Sequence, residues 1–117
     1  MALSNALPAR QDMAAKFATV GLYGFLCTAD PGTGTAVGSE ATGGSPAYAR
    51  KALTWSAPDA SGQITATVTF DVPAGTYTFA GISTASTGST RYVSGSIGTN
   101  TYGAQALHTQ TFTLQVN

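Results

Sequence analysis

The chain has 117 residues, with five Lys+Arg against five Asp+Glu, a formal net charge of zero and only 9% charged residues. That length is one domain, and five basic residues cannot supply the phosphate-neutralising surface that nucleic-acid binding needs. One cysteine, Cys27, and one histidine, His108, exclude a disulfide framework, a thiolate-rich metal site and a multi-histidine metal site.

Residues 1–7 read as an N-terminal arm and residues 8–117 as a single β-rich domain. No basic n-region precedes a long apolar run near the N-terminus, so no secretory signal is expected. The most apolar stretch, Val20 to Cys27, is far short of the ~20 residues a membrane span needs. A helix is expected from about Pro8 to Ala18, with Pro8 at a first-turn position where its missing N–H is harmless. Met13 and Phe17, four apart, share one face with Ala14, while Arg10, Asp12 and Lys16 can face solvent.

Leu22 to Thr28 reads as a buried strand ending in the turn Ala29-Asp30-Pro31-Gly32. A Gly/Thr/Ser-rich loop follows from Gly32 to Pro46. Ala47 to Ala57 carries Leu53 and Trp55 on one face, and Pro58-Asp59 turns the chain. Ile64, Ala66, Val68, Phe70 and Val72 then alternate with Thr65, Thr67, Thr69 and Asp71, the mark of a strand with one wet face. Pro73-Ala74-Gly75 leads into a strand from Tyr77, where a bulge near Ala80-Gly81 reconciles Phe79 with Ile82. Tyr92 to Ile97 is the next strand, Gly98-Thr99-Asn100 a turn, and Thr111 to Asn117 the last strand. The fold class is therefore mainly β: an antiparallel β-sandwich or barrel of six to seven short strands with one short N-terminal helix.

Chemistry is scarce. His108 has no partner visible in the sequence, and its simplest reading is a surface or strand-edge side chain. Gly95-Ser96-Ile97-Gly98 is not a nucleophile elbow. The glycines from Gly32 to Gly38 are followed by Ser39-Glu40, not by the Lys-Ser/Thr pair of a phosphate loop. Asp30 and Glu40 lack the spaced ladder of a Ca²⁺ loop, and Cys27 reads as a small buried hydrophobe. No catalytic, cofactor-binding or metal-binding residue is assigned, and no small-molecule substrate is expected. Tyr48, Trp55, Tyr77, Tyr92 and Tyr102 suit a β-sandwich core better than a sugar platform. The remaining candidates are protein-interface residues: the cations Arg10, Arg50, Lys51 and Arg91, and the arm anchors Leu3 and Leu7.

Several segments carry a resemblance when taken in order. Met1-Ala-Leu-Ser-Asn5 opens the chain, and a strand runs into Thr28-Ala-Asp-Pro-Gly32. Then come Ala47-Tyr48-Ala49-Arg50-Lys51, Leu53-Thr54-Trp55, Val68-Thr69-Phe70, Phe79-Ala80-Gly81-Ile82 and Ala85-Ser86-Thr87-Gly88. This order resembles a family of small virion proteins of tailed phages infecting actinobacteria, with tail-fibre, minor-tail and head-decoration members. Pro8 and the plain C-terminal stretch depart from that pattern.

The resemblance implies a non-enzymatic virion structural protein, made in the host cytoplasm. The favoured expectation is a capsid decoration protein on the outer head, binding the major capsid protein and stabilising the lattice against DNA pressure. It would self-associate, with a trimer as the form that decoration architecture suggests. The alternative is a minor tail or tail-fibre protein with a receptor- or carbohydrate-binding role and a tail protein as partner.

Overall fold

The computed structural model describes residue 1, residue 4 and residues 6–115. The arm anchor Leu3 and the end of the last expected strand, Val116 and Asn117, lie outside the described residues. The elements run α1 (Leu7–Val20), β1 (Tyr23–Cys27), β2 (Lys51–Ala52), β3 (Gln63–Val72), β4 (Gly75–Ser83), β5 (Arg91–Tyr102) and β6 (Ala106–Gln115). All strand pairs are antiparallel: one sheet is ordered β2-β1-β4-β5 and the other is the ribbon β3-β6. The sheets do not close into a barrel.

The alternation in Ile64–Val72 sets the ribbon. Ile64, Ala66, Phe70 and Val72 are buried, and Phe112 and His108 do the same from β6. The opposite parity puts Thr67 beside Thr111 and Thr69 beside Thr109 on the wet face, with hydroxyls 2.9 and 3.0 Å apart. Such cross-strand Thr pairs support a ribbon that has only two strands. The buried rings of Phe70 and Phe112 lie against Gly24 of β1, where an added Cβ would meet them at 3.2 and 3.0 Å. That contact joins the two sheets, and the shared core includes Leu26, Tyr77, Ala80 and Ile82.

α1 begins one residue before Pro8 and ends two beyond Ala18, at Val20, where the cap residue Gly21 donates its N–H to Phe17 O. It has no side-chain N-cap, no acid in its first turn and no base in its last. Tertiary contacts therefore hold it. Ala14 is buried, Phe17 meets Trp55 edge-on at 5.7 Å, and Gln11 donates to Asp59 O at 3.0 Å. Asp59 anchors the predicted turn by accepting from the N–H groups of Ser61 and Gln63 and from the Ser61 hydroxyl. Those bonds hold its carboxyl below the usual range.

Three local expectations change. The segment Ala47–Ala57, with Leu53 and Trp55 expected on one face, is strand only at Lys51–Ala52, because the flanking residues are drawn into loop contacts through Tyr48 and Arg50 and through the Trp55 indole. The turn expected at Gly98-Thr99-Asn100 is not a chain reversal. β5 runs through it, and Gly98 at φ 76° helps absorb the extra residues as a register shift opposite Tyr77–Phe79. That shift, rather than a bulge at Ala80-Gly81, changes the inward parity of β4. Finally, Met13 does not share the burial of Ala14 and is 46% exposed.

Candidate functional site

Arg50 is the most heavily bonded side chain among the described residues. Its Nε and Nη2 donate to the two carboxylate oxygens of Glu40, each at 2.9 Å. Nη1 donates to Ser83 Oγ, Thr90 Oγ1 and Ala85 O, and Nη2 also donates to Gly88 O. The side chain is 5% exposed. Tyr48 donates its hydroxyl to Glu40 Oε2 at 2.8 Å and accepts from Leu26 N–H at 3.0 Å. The hydrogen bonds to Glu40 raise the Arg50 guanidinium still higher, so it stays charged wherever the chain is folded.

This cluster ties the long loop after β1 and the loop before β5 to the end of β4. The loop after β1 is ordered by the bridge between Cys27 and Glu40 and by the Asp30 carboxylate, which accepts from Gly32 N–H. Arg50 is among the candidate interface cations of the sequence; in the folded chain its guanidinium meets the chain's own Glu40, ten positions earlier. A tight Tyr-x-Arg pair facing a lone glutamate was the available signal.

The other candidate cations are placed differently. Arg91 holds the glycine loop against the start of β5, donating from Nε to Gly34 O at 2.6 Å and from Nη1 to Ser94 Oγ at 2.9 Å. Lys51 stands 3.6 Å from Asp71 in a half-exposed pair, an arrangement worth under ~1 kcal/mol. Arg10 turns inward rather than to solvent: its Cβ packs against Gly62, and its Nε is buried without a hydrogen-bond partner. Leu7 is half-buried at the start of α1. Among the described candidates, Arg10, Arg50, Lys51 and Arg91 are each engaged with a different part of the fold.

His108 is 5% exposed in β6, an edge strand. The Tyr102 hydroxyl is 2.7 Å from Nδ1, and Gln110 Oε1 is 3.1 Å from Nε2. The tautomer with Nε2–H satisfies both contacts. Neither partner is a carboxylate, and through the Tyr102 contact the ring links β5 to β6. The aromatic side chains follow suit: Trp55 Nε1 donates to Gly21 O at 2.7 Å, and Tyr77 is buried with its hydroxyl on Pro73 O. Only Tyr92 of the five is classed as exposed, at 44%.

Cys27 is fully buried. Burial, reinforced by Glu40 and Asp30 and opposed by Arg50, pushes its thiol from 9.0 up to about 12. Because the folded state holds this proton more tightly, the associated stability is complete below about pH 9 and is lost as pH rises toward about 12. A thiol reagent at about pH 8 is expected to leave the native protein unlabelled and to label it fully once guanidinium unfolds it. Rapid native labelling would show that the strand opens locally.

One surface remains. Met13, Phe17, Tyr92 and Leu114 line an apolar groove of about 510 Å³ between α1, β5 and β6, with Asp12 and Lys16 on its rim. A smaller cleft of about 220 Å³ continues between β4–β5 and β6, past Val93, Gly95 and Phe112. Among the described residues, no group of three or more His, Cys, Asp or Glu side chains could hold a metal ion, and no helix is long and apolar enough to cross a membrane.

The sequence model of one protein family, described as podophage GP4 fiber I protein gp80, matches residues 3–114. No curated protein and no solved structure matches the chain.

Proposed function

The chain belongs to the podophage GP4 fiber I protein gp80 family, a family of phage virion proteins, and from that premise we propose that it is a non-enzymatic structural component of the fibre apparatus. The match over residues 3–114 carries this reading, since it spans nearly the whole chain and names a fibre protein. Shape supports it. The molecule measures 50 × 25 × 24 Å with a radius of gyration of 15.2 Å. A compact chain of this length has a radius of roughly 13.4 Å. An elongated body is a poorer match than a compact one to a cap on the head lattice, the alternative reading.

The surface fits a protein that works by contact. Its ribbon face is a Thr array with one charge, Asp71, at one end beside the exposed Leu107, suited to polar, hydrogen-bonded docking. Arg50, Glu40 and Tyr48 keep the loops in one conformation, which lowers the entropic cost of binding. The test is to add labelled protein to particles stripped of it, then separate heads from tails by sedimentation. Saturable binding to the tail fraction at a few copies per particle is expected. Saturable binding to heads at many copies would overturn the fibre assignment in favour of capsid decoration.

A further inference from the structure

The sandwich is unfinished on one side. Among the described residues β5 and β6 are outer edges of the two sheets, β5 covered only at its start, where Arg91 N–H donates to Thr35 O, and they run alongside each other from the Tyr102–His108 contact to the Tyr92–Leu114 groove. The other edge of the ribbon is covered: Ser56 N–H donates to Thr65 O and Asp59 N–H to Gln63 O. No comparable main-chain bond reaches the outer edge of β6 among the described residues. Long free edges are usually blunted by charge or proline. Here no Asp, Glu, Lys, Arg or Pro occurs anywhere from Tyr92 to Gln115. Between the two edges lies the apolar groove, with Tyr92 and Met13 each nearly half exposed.

We propose that this open side is where a second copy of the same chain docks about a two-fold axis, groove against groove, with the β5 and β6 edges alongside their counterparts. Its charges select an identical partner. Asp12 and Lys16, one of each sign, stand on the rim of the groove, and neither is ion-paired among the described residues. A two-fold axis can bring Asp12 of one copy to Lys16 of the other, twice. The uncharged strands between them give like copies nothing to repel. Size agrees as well: β6 spans roughly 33 Å and the body is about 24 Å across, so this side offers on the order of 800 Å², the usual share per partner of a stable interface. The inference holds for either address in the virion and stands apart from the fibre assignment.

Sedimentation equilibrium and light scattering across a concentration series test it. The wild-type chain is expected to dimerise. Asp12→Lys sets lysine against lysine and is expected to weaken the dimer about tenfold or more, the equivalent of about 1.4 kcal/mol. The double exchange Asp12→Lys with Lys16→Asp restores opposite charges and is expected to restore dimerisation. Tyr92→Lys places a charge in the groove and is expected to leave a folded monomer, with folding checked by circular dichroism. A wild-type chain that stays monomeric or forms trimers overturns the proposal. So does a dimer indifferent to Tyr92→Lys, and so does one lost in Asp12→Lys that the double exchange fails to restore.

Discussion

Arg50→Ala is expected to lower the free energy of unfolding by about 3–5 kcal/mol, the range for removing one partner of a buried ion pair. The loss has identifiable parts. The Glu40 carboxylate loses both 2.9 Å donors and keeps only the Tyr48 hydroxyl. Ser83 Oγ, Thr90 Oγ1 and the carbonyls of Ala85 and Gly88 lose a charged donor, and Ser83 is completely buried. Two loops then lose the side chain that fastens them to β4. Arg50→Lys should recover only part of the loss, because an ammonium cannot make the planar fork that spans both carboxylate oxygens. Lys51→Ala, one residue along, removes a half-exposed pair and should cost under ~1 kcal/mol. Urea melts of the three variants measure the contrast. Equal, small losses for Arg50→Ala and Lys51→Ala would show that the cluster is a surface feature without structural weight.

The ribbon was legible because its rule is local. Strict alternation from Ile64 to Val72 determines which face is buried before any partner is known, and Phe112 and Leu114 repeat the pattern. The turn at Pro58-Asp59 was legible for the same reason, since the Asp59 side chain bonds within four residues. Long-range features were not legible. Glycine at 98 signals positive φ, but that conformation serves a turn and a bulge equally well, and only pairing with β4 decides between them. Arg50 shows the same limit. Its charge and neighbours mark it as important, yet spacing alone cannot say whether the carboxylate it meets is external or its own. The groove is the converse case: helical periodicity puts Met13 beside Phe17, but whether anything covers both depends on how far β6 extends over β5.

Phe70→Ala tests the ribbon directly and is expected to cost about 3–5 kcal/mol. Phe70 is fully buried, stacks with Tyr48 at 6.0 Å and lies against Gly24. Truncation therefore opens a void at the place where the two sheets touch. Collapse cannot readily fill it, because β1 has no side chain at Gly24 to move in and Tyr48 is fixed by its bonds to Glu40 and Leu26. Thr67→Ala, on the opposite face of the same strand, removes only an exposed hydroxyl pair with Thr111 and should cost under ~1 kcal/mol. The ratio between the two losses, read from urea midpoints at constant m-value, is the informative quantity. A large loss at Thr67 with a small one at Phe70 would require the strand to present its other face to the core, and with it a different packing of the ribbon on β1.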